Sequence, residues 1–295
     1  MPTTIPTTTS TARASLSPDP GDAYFETDTK TYIIYDGYNW RAYNSDSARY
    51  PIISNSLSAF FDNSDDSLSA NDSSLNLQTD FSIACWFNRG IDVASWDALV
   101  SWGEASSGKY RAFGFNANNN LTFNAYGSGY DSSGQTLSNS TWYHGVLTVS
   151  GSGASVVAKV YVNGTLDSTV DNFTLVDYST YGGHLFGRST YGGTEYYNGN
   201  IDELGIWNSV LTASDVSSIY NSYSTSNAVN LNSASNNLVA WYRMGDSSGD
   251  TDSGGGTPGD TDVIGTVVNA STVSGSGGSG ANITGSNATY STTIR

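Results

Sequence analysis

The feature that most constrains the fold is a series of short apolar and aromatic runs separated by turn-forming residues. Phe81 to Phe87 reads Phe-Ser-Ile-Ala-Cys-Trp-Phe, and Trp142 to Val149 is a second such run. After a third run, Ser155 to Val162, comes Asn163-Gly164, a pair typical of type I′ hairpin turns. These runs lack helical periodicity, and many short strands with turn signals between them indicate a sandwich. The sequence therefore predicts an all-β protein.

One short helix is predicted after the strand Ile201 to Trp207, over Thr212 to Tyr223. Thr212 can cap its first turn, and Asp215, three residues later, completes a pair of the capping-box type. An apolar stripe follows along one face of the helix. The stripe consists of Val216, Ile219 and Tyr220.

Four stretches resemble, in order, the pattern of concanavalin A-like jelly rolls of the laminin-G-like type. They are Ser58 to Phe87, Trp142-Tyr-His with Val160-Tyr-Val-Asn-Gly164, His184-Leu-Phe-Gly-Arg188, and Gly199-Asn-Ile-Asp-Glu-Leu204. The resemblance spans roughly residues 50 to 222. It implies a jelly-roll β-sandwich, a fold used mainly for recognition and less often for catalysis.

Changes in composition along the chain, together with the resemblance, suggest a division of the chain. We expect an extended N-terminal arm over 1–20, a small β-hairpin module over 21–49, and the jelly roll over 50–290. Leu238 to Gly245 resembles the strand that usually begins such domains. Either the chain is permuted, or this strand completes the sheet from the C-terminal side. The core would then be 50–225, completed by strands within 236–290, including Val263 to Val268.

The hairpin module is read from three aromatic-rich runs and an Asp36-Gly37 turn. Its strands would be Ala23 to Phe25, Thr31 to Tyr35 and Asn39 to Tyr43. The segment resembles a small module common in phage tail fibres and other virion proteins. So small a unit cannot bury an independent core. It would pack on a neighbour, either other virion proteins or identical copies in a homo-oligomer. The alternative is an extra hairpin of the main sandwich. The attachment residues would be Tyr24, Phe25, Tyr32, Tyr35 and Trp40.

The charge balance argues against two classes of partner. There are 11 Lys and Arg against 27 Asp and Glu, a net charge of −16. Such a surface repels phosphate backbones and anionic membranes, so neither nucleic acid nor membrane is an expected partner. The sequence contains no run of 18 or more apolar residues, the length that a membrane-spanning helix needs.

The start of the chain lacks the basic and apolar regions of a secretory signal. The composition is nonetheless that of an exposed protein, rich in Ser, Thr, Asn, Gly and Tyr. A viral protein made in a host cytoplasm and displayed on the virion surface reconciles the two.

The isolated reactive side chains are interpreted as structural. Cys85, the only cysteine, lies in an apolar run and is expected to be a buried small hydrophobe. His144 is expected to be a hydrogen-bonded structural residue. Four tryptophans in strand contexts are expected to fill the core. They are Trp86, Trp142, Trp207 and Trp241.

No catalytic residue is predicted. Some jelly rolls of this class resemble laminarinases, whose Glu-x-Asp-x-x-Glu strand places two carboxylates ~5–5.5 Å apart for retaining hydrolysis. None of the four glutamates here begins that pattern. Asp202 and Glu203 are adjacent, so on a strand they would face opposite sides. We interpret Asp202 as a structural acceptor.

Acidic loops raise the question of calcium, which takes 6–8 oxygen ligands. The candidate loop contains Asp62, Asp65 and Asp66, and a second contains Asp246, Asp250 and Asp252. The alternative is solvated turn aspartates. If calcium binds, chelator should lower the melting temperature.

Loop tyrosines are the candidate ligand-binding residues, because a tyrosine offers a flat apolar face and a hydroxyl. Ser179-Thr-Tyr-Gly-Gly183 is echoed by Ser189-Thr-Tyr-Gly-Gly193. The tyrosines could bind glycan, or cover the end of the sandwich or contact a neighbouring subunit. The candidates are Tyr126, Tyr130, Tyr181, Tyr191, Tyr196 and Tyr197.

These features predict a non-enzymatic virion surface protein with a lectin-like domain for host-surface glycans or particle-surface contacts. It would decorate a head or form a fibre or tail appendage. Two alternatives remain: a polysaccharide-degrading appendage enzyme with an unrecognised carboxylate pair, and a purely structural cement protein.

Overall fold

The structure, a computed structural model, describes most of the chain between residues 6 and 244 and two short C-terminal strands. The described residues are 6–9, 11–19, 22–27, 31–35, 40–43, 52–54, 58–63, 66–70, 75–91, 96–125, 134–153, 155–178, 183–189, 191, 195–222, 227–229, 231, 237–244, 283–286 and 289–291. The chain divides into two compact units, Met1–Pro51 and Ile52–Arg295.

The N-terminal unit is a four-stranded sheet in the order β1-β2-β3-β4. The strands are β1 (Thr7–Thr8), β2 (Ala23–Glu26), β3 (Thr31–Tyr35) and β4 (Trp40–Tyr43). The last three form antiparallel pairs in which Phe25 lies opposite Tyr32 and Tyr35 opposite Trp40. The expected hairpin strands are therefore present.

The predicted arm contributes to this sheet. β1 pairs in parallel with β2, and the backbone N–H of Phe25 donates to the Pro6 carbonyl at 2.9 Å. A short 3₁₀ helix, Ala12–Ser15, follows, and its Arg13 pairs with the buried Glu26 at 3.0 Å. Threonine favours extended backbone, and the added strand satisfies donors that β2 would otherwise expose. Residues 6–19 are thus part of the unit rather than a free arm.

The larger unit is a sandwich of two mainly antiparallel sheets. The order of the eight-stranded sheet is β14-β13-β12-β8-β16-β6-β20, with β18 also paired to β16. Its strands are β6 (Ser58–Asp62), β8 (Phe81–Arg89), β12 (Trp142–Ser150), β13 (Val156–Val162), β14 (Thr165–Phe173), β16 (Asn198–Trp207), β18 (Leu238–Tyr242) and β20 (Thr289–Ser291).

The six-stranded sheet has the order β11-β10-β9-β15-β7-β19. Its strands are β7 (Ser67–Ala70), β9 (Asp97–Gly103), β10 (Tyr110–Phe115), β11 (Leu121–Asn124), β15 (His184–Phe186) and β19 (Ile283–Ser286). A separate ribbon pairs β5 (Ile52–Ser54) with β17 (Asn227–Val229). The jelly-roll β-sandwich expected from the sequence is confirmed.

β16 is the strand of the large sheet that changes its pairing partner along its length. One side of it pairs with β8 along nearly its whole length. On the other side its first half pairs with β6 and its second half with β18. A bulge between Asp202 and Gly205 separates the halves. β18 therefore adds to the large sheet from the C-terminal side. The expected strand over 263–268 lies outside the described residues.

Side chains from the facing surfaces of both sheets form one apolar core, to which Phe87, Trp102 and Phe115 contribute. Cys85 lies in this core, and burial raises the pKa of its thiol, so it is a small hydrophobe as expected. Trp207 and Trp241 are buried as predicted.

Trp142 is a correction, because it is only half-buried at the start of β12. The fully buried Trp102 was not singled out from the sequence.

The helix α1 (Ala213–Ser222) covers the outer face of the large sheet. The capping box is confirmed: the Asp215 N–H donates to Thr212 Oγ1 at 3.1 Å, and the Thr212 N–H donates to Asp215 Oδ2 at 3.0 Å. Tyr220 stacks on Trp86 with ring centroids 5.8 Å apart. Trp86 therefore packs beneath the helix rather than between the sheets. Among the described residues, no helix is long and apolar enough to cross a membrane.

Candidate functional site

The candidate site is the loop that joins β15 to β16, which we call the 188–196 loop. Gly187 begins it with a positive φ of 73°, and a Cβ there would lie 2.2 Å from the Phe61 ring, so only glycine fits this turn. The N–H of Ser189 donates to the Glu195 carbonyl at 2.9 Å, and the N–H of Tyr197 donates to the Gly187 carbonyl at 2.9 Å. The two ends of the loop are thereby held together.

Tyr191 stands on this loop with its ring supported from below. Ser189 Oγ accepts a hydrogen bond from the Tyr191 N–H at 3.1 Å and lies 2.8 Å from the Tyr110 hydroxyl. The ring of Tyr110 lies 5.6 Å from that of Tyr191, centroid to centroid. Tyr110 is buried, whereas Tyr191 is 40% exposed. A flat aromatic surface is therefore presented to solvent in a fixed place.

A cation lies in the same loop. The Arg188 guanidinium carbon is 5.0 Å from the centre of the Tyr196 ring, a cation–π geometry. The backbone of Arg188 is fixed because Ser101 Oγ on β9 donates to its carbonyl at 2.7 Å. Both Arg188 and Tyr196 are half-buried.

Glu195 adds a hydrogen-bond acceptor to the 188–196 loop. Burial raises the pKa of the Tyr110 hydroxyl, and the negative charge of Glu195 adds to that shift. The loop thus combines an aromatic face, a guanidinium and a carboxylate.

Two of the six candidate tyrosines, Tyr191 and Tyr196, lie in the 188–196 loop. Tyr197 is a correction: it is fully buried and stacks against Phe115 with an angle of 11° between the rings, so it has no face for a ligand. The remaining three lie outside the described residues. They are Tyr126, Tyr130 and Tyr181.

Four residues of the site were not identified from the sequence: Tyr110, Arg188, Ser189 and Glu195. Tyr110 begins a strand and gave no signal of its own. Ser189 is the first residue of the repeated Ser-Thr-Tyr-Gly-Gly segment, and Arg188 directly precedes it. Attention to the polar residues around that repeat, rather than its tyrosine alone, would have found them.

Comparison with known proteins agrees with the fold. The laminin G pattern of the Concanavalin A-like lectin/glucanases superfamily matches residues 62–217, more than half of the chain. The chain belongs to this superfamily. No curated protein matches its sequence.

Among solved structures, a candidate carbohydrate-binding protein from Bacteroides ovatus is 15% identical, with a TM-score of 0.54, and the match covers 93% of this chain and 70% of that one. The heptameric SAP-like pentraxin of Limulus polyphemus is 17% identical, with a TM-score of 0.44, 56% of this chain and 82% of that one covered. The CBM40 of Ruminococcus gnavus IT-sialidase is 14% identical, with a TM-score of 0.44, 53% and 95% covered.

The acidic pair of this lectin/glucanase domain is inside the protein. Glu203 has a positive φ of 50° at the bulge in β16. Asp202 and Glu203 were expected to face opposite sides of a regular strand, but the bulge removes that alternation and both are buried. Trp241 Nε1 donates to Glu203 at 2.8 Å, and Arg243 Nε lies 3.4 Å from its other oxygen. Glu203 is thus a buried, partnered carboxylate.

A second buried ion pair joins the last residue of β8 to the first residue of β9. Arg89 and Asp97 are 3.5 Å apart, and Arg89 also donates to Asn119 at 2.7 Å. Loss of hydration raises the pKa of Asp97 to about 7 even though Arg89 opposes the shift. Desolvation of a nearly inaccessible carboxyl outweighs one guanidinium whose nitrogen is at the outer limit of contact.

Both histidines are buried and pack against tryptophan rings. His184 stacks on Trp102 with centroids 5.2 Å apart, and burial lowers the pKa of its imidazole to about 3. His144 packs on Trp86 at 5.2 Å and is buried. Neither imidazole reaches the 188–196 loop surface, since both are covered.

The proposed calcium loop is described only in part. Asp66 is buried, and its Oδ2 accepts the Asp62 N–H at 2.8 Å, which is the role of a turn-stabilising aspartate. Asp65 and the second acidic loop lie outside the described residues. Within the described part of the chain, no three His, Cys, Asp or Glu side chains group as metal ligands.

The chelator test follows from this geometry. If Asp66 acts only through the Asp62 N–H, Asp66→Ala will lower the melting temperature equally with calcium and with chelator. A loss confined to calcium-containing buffer, together with a lower wild-type melting temperature in chelator, would instead show a calcium site.

Proposed function

We propose that this chain is a non-enzymatic surface protein of a virus particle whose sandwich binds host-surface glycan through the 188–196 loop. In this proposal the N-terminal unit attaches the protein to other virion proteins, and the protein assembles as a homo-oligomer on the particle surface.

The observation that supports glycan binding is the fixed, exposed ring of Tyr191. Its backbone is held by Ser189 and its ring by Tyr110, so little side-chain freedom is lost when a sugar stacks on it. The same loop also contains a carboxylate acceptor, Glu195, and a second phenol, Tyr196. The Bacteroides protein of the same fold is itself a candidate carbohydrate-binding protein.

The state of Glu203 supports a non-enzymatic role. A glycosidase needs one carboxyl as acid and one as nucleophile or base at the scissile bond. Glu203 is instead buried and bound to Trp241 and Arg243.

The virion assignment rests on the N-terminal unit. Its sequence resembles modules of phage fibres, and its sheet keeps Tyr24, Phe25 and Tyr35 only half-buried. Such aromatic side chains are suited to a protein–protein contact.

The test is binding of the purified protein to a broad glycan panel, in calcium and then in chelator. We expect selective binding that Tyr191→Ala abolishes, because the stacking surface is lost. Leu166→Ala is the matched control, since Leu166 is a similarly exposed apolar residue on β14. Its binding should equal that of the wild type.

Three other outcomes would overturn parts of the proposal. Release of reducing sugar from host polysaccharide would indicate the enzyme. Attachment to particles with no glycan binding would indicate a cement protein. Failure of residues 1–51 to direct a fused reporter to particles would remove the attachment role.

A further inference from the structure

We infer that the glycan recognised at the 188–196 loop carries a carboxylate, and that Arg188 binds it while Tyr191 stacks on the sugar ring. This inference rests on the proposed glycan-binding function and names the class of sugar that the site takes. The ligand would be an acidic saccharide built from hexuronic or nonulosonic acid units.

Arg188 differs from most other described cations of the chain. Four of them have carboxylate partners within 4 Å. These are Arg13 with Glu26, Arg89 with Asp97, Lys109 with Glu104, and Arg243 with Glu203. Within the described part of the chain Arg188 has no carboxylate at that distance, although acidic residues outnumber basic ones 27 to 11.

Arg111 also lacks such a partner but is fully buried against Tyr178, so it cannot meet a ligand at the surface. Arg188 is half-buried and lies three residues before the exposed Tyr191 in the same loop. Lys159 on β13 also has no carboxylate within that distance but lies outside the 188–196 loop, so Arg188 is the cation that the described residues of this loop offer to a ligand.

The position of Arg188 is fixed before any ligand arrives. Its backbone is held by Ser101, and its guanidinium lies over the Tyr196 ring at 5.0 Å. Stacking holds the plane of the guanidinium. Its Nε is buried and has no hydrogen-bond partner among the described residues. A carboxylate can accept two parallel hydrogen bonds from the two terminal nitrogens.

Glu195 narrows the ligand class further. Its carboxylate is in the same loop, near Tyr110, and would repel a densely charged polyanion. It can accept hydrogen bonds from sugar hydroxyls. A ring with one carboxylate and several hydroxyls satisfies both side chains, whereas a polysulfate or polyphosphate satisfies only Arg188.

The experiment compares acidic oligosaccharides with their own carboxyl-reduced forms, which keep the ring and hydroxyls but lose the charge. The panel contains glucuronate, galacturonate, mannuronate and nonulosonate oligomers, together with sulfated neutral oligomers. Binding is measured by calorimetry with the full chain. We expect the wild type to bind at least one acidic oligomer roughly tenfold or more tightly than its reduced form, as for a charge-assisted hydrogen-bonded pair.

Arg188→Gln should remove that preference while keeping the weaker affinity for the reduced form. Tyr191→Ala should abolish binding of both. Lys159→Gln is the matched control, since it removes one positive charge on β13, away from the loop, and should leave the preference unchanged.

The outcomes separate this inference from the function on which it rests. Equal affinity for acidic and reduced forms, or a stronger affinity for sulfated oligomers, would overturn the carboxylate assignment and leave glycan binding intact. Absence of binding to every oligomer would overturn both.

Discussion

At the scale of single residues, the most informative groups are two buried ionisable side chains whose effects on stability oppose each other. The pKa of Asp97 is raised to about 7, so between pH ~4 and ~7 the folded state holds a proton that the unfolded state has lost. Stability from this group therefore falls as pH rises through that window. The pKa of His184 is lowered to about 3, so between pH ~3 and ~6.5 only the unfolded state holds the proton. Stability from His184 therefore rises with pH.

Asp97→Asn removes one of these two opposing effects. The free energy of unfolding of the variant should rise more steeply with pH between 4 and 7 than that of the wild type. The measurement is urea denaturation at several pH values. Asp171→Asn, a change of the same charge at an exposed strand position, is the control and should follow the wild-type slope. Parallel curves for all three proteins would contradict the assignment.

Glu203→Ala tests the buried pair on β16. The substitution leaves the Arg243 charge and the Trp241 N–H without their acceptor, and breaking such a pair costs about 3–5 kcal/mol. The matched change is Glu104→Ala, because the Glu104–Lys109 pair is partly solvated and is expected to contribute about 1 kcal/mol or less. Equal losses of unfolding free energy in the two variants would show that Glu203 is not a structural partner.

At the scale of the element, the helix α1 depends on its first turn. Thr212→Ala removes the acceptor for the Asp215 N–H and should cost about 1 kcal/mol of unfolding free energy. Ser214→Ala, at an exposed position in the same turn, should cost nothing measurable. Since Tyr220 stacks on Trp86, the fluorescence of Trp86 should report the loosening of the helix. A Thr212→Ala protein as stable as the wild type would show that the cap is dispensable.

The elements also show what the sequence alone could and could not establish. Strands such as β8 and β12 were predictable because each is an apolar run bounded by turn residues. The bulge in β16 was not, because it arises where the strand changes partner from β6 to β18, a tertiary event with no local signal.

Prediction of the candidate site has the same limit: local patterns can be read from the sequence, but tertiary packing cannot. Neighbouring residues in an extended segment face opposite ways, so of Tyr196 and Tyr197 only one could be exposed. That much was available from the sequence, but which of the two is buried depends on the packing of Phe115 and Phe61. The pairing of Arg188 with Tyr196 depends on the closed shape of the loop, and no spacing rule predicts it.

At the scale of the whole molecule, the chain divides between Pro51 and Ile52 into two compact units, and we propose a separate task for each. A protein lacking residues 1–51 should keep the melting transition of the sandwich and its glycan binding, because the core cluster lies entirely beyond residue 51. It should no longer attach to particles. Differential scanning calorimetry and a particle-binding assay measure the two properties. Loss of the sandwich transition in the shortened protein would show that the units fold as one.

The last described strands have a consequence for synthesis. β19 pairs with β7 and β20 pairs with β6, so each sheet receives a strand from beyond residue 282 on a partner made more than 200 residues earlier. During translation, one edge of β6 and one edge of β7 stay unpaired because the segment that pairs with them has not yet been made. Pairings so distant along the chain form slowly. The nascent protein therefore has to stay soluble with two incomplete sheets until that segment has been made, and its high negative charge is suited to that interval.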